Sequence, residues 1–416
     1  MKIILLQGPV GGFFAFLTRH LRARGHEVRK FDFNGGDRLY SFGSGTTGFS
    51  GSLDDWAAFV RAELASWRPD AVIMFGDERP IHRIAAAAAR AAAVAVFSFE
   101  EGYFRPHHIT FEAGGNNANS PLPRDPSAYG NLPEPPPPPL IGPAFGPMGR
   151  RATLYYCAKT LGRPFLGSPP HHRERDPFSE GLFWARSFAR KFKAEWIDRK
   201  VAKTLLSGKG PGFFLAALQV HDDLQLRRHG GPWSHSRFIP EVIASFAGHA
   251  PPSVRLVFKV HPLDRGHKDY RRSVNRAARK AGVGHRVIVL ETGALAPLVR
   301  HAQGLITVNS TSGLTALMAG VPVAVLGRAF YAIPGLATAM PDIQALDSFW
   351  SAPPKPDPDL AQRFSRKVIW DCLIPGSFYL KHTWPTIAQA AEDRLRAALN
   401  QPKVAGVTLE VNCVSS

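Results

Sequence analysis

A chain of 416 residues that is 44% hydrophobic and 20% charged excludes a disordered protein and exceeds one small core, so two domains of roughly 150 to 200 residues are expected. Lys and Arg number 51 against 33 Asp and Glu, a net charge of +18, which implies an anionic partner: nucleic acid, an acidic bilayer face or negatively charged substrates. Cys157, Cys372 and Cys413 lie far apart without CxxC spacing, which argues against a disulfide framework and against a zinc site. The opening MKIILLQGPVGG is too short for a signal peptide, and no apolar run is long enough to span a bilayer. A cytoplasmic protein is expected, with any membrane association peripheral.

In chain order, residues 2–6 read as a strand, Gly8-Pro-Val-Gly-Gly12 as a glycine turn, 13–24 as a helix closed by Gly25, and 27–33 as a second strand. Strand and helix alternate as in a parallel sheet. The turn lacks both GxGxxG and GK[ST], so Gly8 and Gly11 are read for close backbone approach at the sheet edge rather than as a phosphate loop. Asn34-Gly-Gly-Asp37 reads as turn residues. A helix over 52–66, a strand over 71–75, an alanine-rich helix over 81–92 and a strand over 94–99 follow. That strand leads into Glu100-Glu101-Gly102-Tyr103-Phe104-Arg105-Pro106. Mutual repulsion of adjacent carboxylates raises one pKa, which suits a general acid or base; a solvated turn with Glu101 paired to Arg105 is the competing expectation.

Residues 116–148 turn Asn-rich and then proline-rich, with five consecutive prolines at 135–139, and read as an exposed spacer that builds no core. Residues 181–206 then place Trp184, Phe188, Phe192 and Trp196 four apart among many Arg and Lys. Such a stripe is expected first as a face packed into the protein; the alternative is a helix lying on an anionic bilayer.

The rhythm resumes with a strand over 212–218 running into Gln219-Val-His221-Asp222-Asp223, a helix over 239–246, and a buried strand over 254–260 that ends at Lys259-Val260-His261-Pro262. His261 therefore falls at a strand's carboxyl end, where loops of an α/β sheet converge on ligands, and an imidazole beside Lys259 suits a phosphate. A strand over 304–308 leads into Asn309-Ser310-Thr311-Ser312-Gly313, whose hydroxyls and N–H groups at a helix start form a candidate anion site on the same edge. Helices over 360–371 and 383–399 precede a tail.

Two doubly wound Rossmann-like halves facing a cleft, with C-terminal helices packing back, describe a GT-B-like α/β fold. The expected domains are 1–180 with the proline-rich insert, 181–345, C-terminal helices over 346–400 and a tail over 401–416. At the level of words, LQGPVGGFF, FNGGD, EEGYFRP, LQVHDD, FKVHPLDRG, NSTSGLTAL, GLATAM and PGSFY together resemble the KpsS/LipB family of capsular polysaccharide biosynthesis proteins, from Leu6 to about Tyr379.

That resemblance implies transfer of 3-deoxy-D-manno-octulosonic acid (Kdo) from CMP-Kdo to a phosphatidylglycerol-type lipid, starting the poly-Kdo linker of a capsule. The first domain would take the acceptor and the second the nucleotide sugar. One phosphate leaves with CMP, so a metal-free and cofactor-free site of His261, Lys259 and Asn309 to Gly313 would suffice, with Gln219, His221 and Pro262 beside it. Retention of the β configuration requires a carboxylate nucleophile, Asp223 or Asp222. Glu101 or Glu100 would move the acceptor's proton, and Arg105 would meet the Kdo carboxylate. The implied partners are the anionic cytoplasmic face of the inner membrane and other capsule biosynthesis or export proteins. Nucleic acid is not among them, since no RRM, KH or helix-turn-helix signature appears. A nucleotide-sugar epimerase of the same architecture and a non-catalytic capsule-assembly scaffold are the alternatives.

Overall fold

The structure, a computed structural model, describes residues 1–162 and 177–400. The tail over 401–416 and the segment around 164–174 lie outside them. The first sheet is built from β1 (Lys2–Leu5), β2 (Glu27–Asp32), β3 (Thr47–Gly48), β4 (Ala71–Phe75), β5 (Ala95–Glu101) and β6 (His108–Ala113). Helices α1 (Phe13–Ala23), α2 (Gly35–Ser41), α3 (Leu53–Trp67) and α4 (Pro80–Ala91) connect them, followed by α5 (Phe145–Leu161) and the long α6 (Pro177–Leu206). The second sheet holds β7 (Phe213–Ala217), β8 (Arg255–Lys259), β9 (Val287–Leu290), β10 (Gly304–Thr307), β11 (Val323–Val325) and β12 (Thr338–Ala339). Its helices are α7 (Leu224–His229), α8 (His235–His249), α9 (Tyr270–Lys280), α10 (Leu295–His301), α11 (Ser312–Met318) and α12 (Leu346–Phe349). The chain closes with α13 (Pro358–Lys367), β13 (Leu373–Pro375) and α14 (Trp384–Asn400).

The strand orders are β13-β6-β5-β4-β1-β2-β3 and β12-β11-β10-β7-β8-β9. Every pairing of the second sheet is parallel. The sequences AVIMF of β4 and FFLAA of β7 are buried throughout, as central strands covered on both faces must be. The result is two Rossmann-like units in the expected GT-B-like arrangement. They meet where Glu78, after β4, takes His229 Nε2 at the end of α7 at 2.7 Å, and where the Tyr103 and Phe330 rings pack in a tilted pair with centroids 4.4 Å apart. The last helix packs back on the first unit, with Trp384 against Phe13 and Phe16. No helix among the described residues is long and apolar enough to cross a membrane.

Four local expectations need correction. The first sheet is mixed, because β6 runs antiparallel to β5 and β13 antiparallel to β6; β5 consequently extends through Glu100 and Glu101, which pair with Thr110 and Ile109. Asn34 to Asp37 is not a plain turn but a helix start, its Asn34 side chain accepting from the Gly36 and Asp37 amides. Cap and turn residues share one chemistry, so composition does not separate them.

The proline-rich insert is not a free spacer. Leu122 and Tyr129 are buried in the core of the second unit, and donors from the C-terminal elements hold the carbonyls that follow. Arg363 donates to Tyr129 O (2.8 Å), Arg366 to Leu132 O (3.0 Å) and Trp370 Nε1 to Pro133 O (3.0 Å). Proline lacks an N–H but leaves carbonyls open, so the stretch entering the run is secured by donors brought to it, whereas Pro136 to Pro139 are exposed as expected. Finally, the aromatic stripe of α6 is not core: Trp184, Phe188, Phe192 and Trp196 are all exposed.

Candidate active site

The carboxyl edge of the second sheet is built from three loops, those after β7, β8 and β10. After β7, the buried Gln219 carboxamide donates to Asn309 Oδ1 at 3.0 Å and accepts from the Asn309 amide at 3.3 Å, fastening this loop to the one after β10. Asn309 in turn donates to Gln225 O at 2.8 Å. Asp223 caps α7, accepting from the Gln225 amide at 2.9 Å, while its other oxygen lies 3.4 Å from Gln219 Nε2. The half-buried Asp223 carboxylate thus stands where the two loops meet. The charge of the neighbouring Asp222 adds a small upward push to the Tyr270 hydroxyl pKa, which burial and Asp264 raise most.

His221 is held by a residue that sequence patterning did not single out. Buried Asp264 accepts from the His221 amide at 3.1 Å and pairs with His221 Nδ1 and with the Tyr270 hydroxyl, to which His235 Nδ1 adds a contact at 2.8 Å. Held through Nδ1–H, neutral His221 keeps Nε2 as its acceptor. Asp264 lies inside the quoted FKVHPLDRG, yet an aspartate in a turn carries no periodic signal. Asp264→Ala should cost about 2 kcal/mol in urea unfolding, because it removes the acceptor of a part-buried imidazole N–H and leaves the Tyr270 hydroxyl only its His235 contact; a change under about 0.5 kcal/mol would show that the pair carries no such weight.

His261 has the opposite tautomer. Its Nδ1 accepts from the Leu263 amide at 3.2 Å as it caps the turn Pro262–Asp264, so a neutral ring carries its proton on Nε2 as a donor. The Lys259 side chain is buried, its ammonium donates to Val260 O at 3.1 Å, and burial together with Arg265 pulls its pKa down to about 8. At the start of α11, Ser312 Oγ is buried with no hydrogen-bond partner among the described residues. Ser310 O takes the Tyr331 hydroxyl, and a side chain at Gly313 would collide with the Tyr331 ring.

The first unit's edge carries the carboxylates of β5. The environment of Glu100 pushes its pKa up to about 7, chiefly through desolvation and then the Glu101 charge, against the pull of its own hydrogen bond from the Glu101 amide and of Arg79 and Arg105. Glu101 is not paired as the solvated turn required; it accepts from the Tyr379 hydroxyl at 2.8 Å. Arg105 is exposed, its Nε donating to Gly102 O at 3.0 Å.

Beside these groups, Gln7 donates to Asp37 at 2.9 Å and to the Tyr155 hydroxyl at 3.0 Å, and takes Arg79 at 2.7 Å. Burial raises the Asp37 pKa against the opposing pull of Lys30 and of the hydrogen bonds from the Phe33 amide and Gln7, and Asp37 lines a pocket with Gly8, Gly11, Lys30, Tyr40 and Tyr155. A Cβ at Gly8 would strike the Phe14 ring and one at Gly36 the Tyr155 ring, so both glycines serve close approach, as the turn reading anticipated for Gly8. Arg79, Tyr155 and Tyr379 went unnoticed in the sequence, because each joins the site from a separate element.

The site divides its acids by environment. One edge presents Asp223, held by a backbone amide beside a carboxamide; the other presents Glu100, a carboxyl able to hold a proton near neutral pH. Two carboxyls in unlike environments are the chemical requirement for separating a nucleophile from a proton carrier.

Comparison with known proteins gives the following. Residues 70–379 match the model of a family described as capsule polysaccharide biosynthesis protein. The chain is 36% identical over 380 residues to the capsule polysaccharide export protein KpsS of Escherichia coli, covering 91% of this chain and 97% of that one. It is also 36% identical over 396 residues to the capsule polysaccharide modification protein LipB of Neisseria meningitidis serogroup B, covering 92% and 93%. Among solved structures, Thermosulfurimonas dismutans KpsC, described as a β Kdo 2,7 transferase, aligns over 94% of this chain and 99% of that one, with a TM-score of 0.43 and 13% identity.

Proposed function

Because the chain belongs to the capsule polysaccharide biosynthesis protein family, we propose that it is a retaining β-Kdo glycosyltransferase. It moves Kdo from CMP-Kdo to a phosphatidylglycerol-type lipid at the anionic cytoplasmic face of the inner membrane, beginning the poly-Kdo linker of a capsule alongside other capsule biosynthesis and export proteins. The observation that supports this reading is the contrast between two acids: Asp223, held by a backbone amide at the start of α7 in the second unit, and Glu100, whose pKa is pushed up to about 7 at the end of β5 in the first.

In this reading the Asp223 carboxylate attacks the anomeric carbon of Kdo as its bond to the CMP phosphate oxygen breaks. The leaving phosphate is met by the Nε2–H of His261 and the Ser312 hydroxyl, and one phosphate needs no metal beyond them. Ionised Glu100 then takes the proton of the acceptor hydroxyl, which displaces Asp223 from the sugar; two inversions restore the β configuration. Arg105 meets the sugar carboxylate, and His221, held by Asp264, lines the donor side.

The test is glycolipid formation from CMP-Kdo and a fluorescent phosphatidylglycerol analogue, comparing wild type with His261→Ala. Glycolipid from wild type and its near loss in the variant is expected. No glycolipid from folded wild type with intact donor would sink the reading in favour of an epimerase or a scaffold.

A further inference from the structure

The helix α6 presents two unlike faces. Its inner face carries Ser187, Ala194, Asp198 and Leu205, all buried and recurring at the helical period. Polar contacts fix that face to the carboxyl-end loops of the second sheet. Arg190 donates to Arg265 O and Lys268 O, both at 2.7 Å, in the loop after β8. Asp198 accepts from the Glu291 and Thr292 amides at 2.7 and 2.9 Å in the loop after β9, and from Arg271 at 2.9 Å. Gly266 lies so close that a side chain there would strike Phe183 O. Small residues and directed hydrogen bonds do the fastening, so the aromatic residues are not needed for packing.

They point the other way. Trp184 is 40% exposed, Phe188 52%, Phe192 73% and Trp196 67%, with Leu182 and Ile197 exposed beside them. The stripe from Trp184 to Trp196 runs about 18 Å along the helix. Arg186, Lys191, Lys193, Arg199, Lys200 and Lys203 are exposed on and around it, with the Lys200 ammonium 3.9 Å from the Trp196 ring. Between 181 and 206 the acidic residues are Glu195, which faces Arg199 at 3.5 Å, and the buried Asp198.

We infer that this face of α6 docks the protein on an anionic lipid bilayer, with the aromatic rings inserted at the headgroup boundary and the surrounding cations on the lipid phosphates. An exposed apolar stripe of this size marks an interaction surface, and its cationic border fits a negatively charged layer rather than a second copy of this strongly basic chain. The inference rests on the lipid-acceptor reading for its purpose, and it adds a position: α6 is anchored to the loops that follow β8 and β9, so docking brings the ligand edge of the second unit to the bilayer surface.

The test is cosedimentation of the full chain with vesicles of phosphatidylethanolamine containing phosphatidylglycerol, against pure phosphatidylcholine vesicles. The comparison protein carries Trp184→Ser, Phe188→Ser, Phe192→Ser and Trp196→Ser, with circular dichroism to confirm its fold. Wild type should bind the anionic vesicles, more weakly as salt rises, and the variant at least about tenfold less. Equal binding by both proteins, or none by wild type, overturns the inference. So does a wild-type dimer in sedimentation velocity that the variant loses while vesicle binding stays absent. Turnover of a short-chain, water-soluble acceptor separates the two ideas: intact turnover without vesicle binding sinks the docking surface alone, whereas vesicle binding through α6 without turnover of either acceptor sinks the transferase alone.

Discussion

Asp223→Asn should lower turnover of CMP-Kdo by roughly 10⁴-fold or more while leaving the protein folded. Asparagine still accepts from the Gln225 amide, so the cap of α7 survives and the stability change stays within about 0.5 kcal/mol. What is lost is the negative oxygen that would bond to the anomeric carbon. Asp223→Ala is the weaker experiment, since it removes cap and charge together and costs about 1 kcal/mol of stability. Asp222→Asn is the control. If that variant is dead and Asp223→Asn is active, the nucleophile is Asp222, and the position of Asp223 between the two loops serves only to cap α7.

Glu100→Gln should lower turnover by about 10² to 10⁴-fold and remove a limb from the pH profile. With a pKa pushed up to about 7, wild-type Glu100 ionises around neutrality, and the ionised form is the one that accepts the acceptor's proton. The wild-type rate should therefore rise with pH through about 7 and level off above it, and the residual activity of the variant should lack that rise. Stability moves the other way. A carboxyl whose folded pKa lies above its usual 4.5 binds more protons folded than unfolded, so its favourable contribution is complete below about 4.5 and is lost as pH climbs to about 7. Glu100→Gln should therefore gain stability relative to wild type at pH 8 compared with pH 5, read from urea midpoints. A pH profile unchanged by Glu100→Gln would move the proton-carrying role to Glu101, which the Tyr379 hydroxyl already holds.

Periodicity and turn chemistry exposed most of the scaffold. The alternation of apolar strands with helices, the carboxyl-end positions of His261 and Asn309, and the loop carrying Asp222 and Asp223 are all local patterns, and a local pattern survives in one dimension. The strand β6 was missed because HITFEA follows a loop rich in turn residues and aromatics, and its identity depends on the partner β5. The α6 stripe was assigned to the wrong surroundings for a related reason: the opposite face repeats just as regularly with small and polar residues, so spacing shows two faces without saying which one meets protein.

Sequence by itself determined the α/β architecture with two sheets and the family, because each rests on short-range pattern or on words in order. Tertiary structure decided which acid has a shifted pKa, that Asp264 holds His221, that Lys259 is buried, that the stretch before the proline run is held by Arg363 and Arg366 of α13, and that the aromatic face of α6 is bare. Each of these depends on burial or on a partner distant in the chain, such as Tyr379 for Glu101 or Arg363 for Tyr129. Desolvation and hydrogen bonding act through space, and spacing along the chain does not record them.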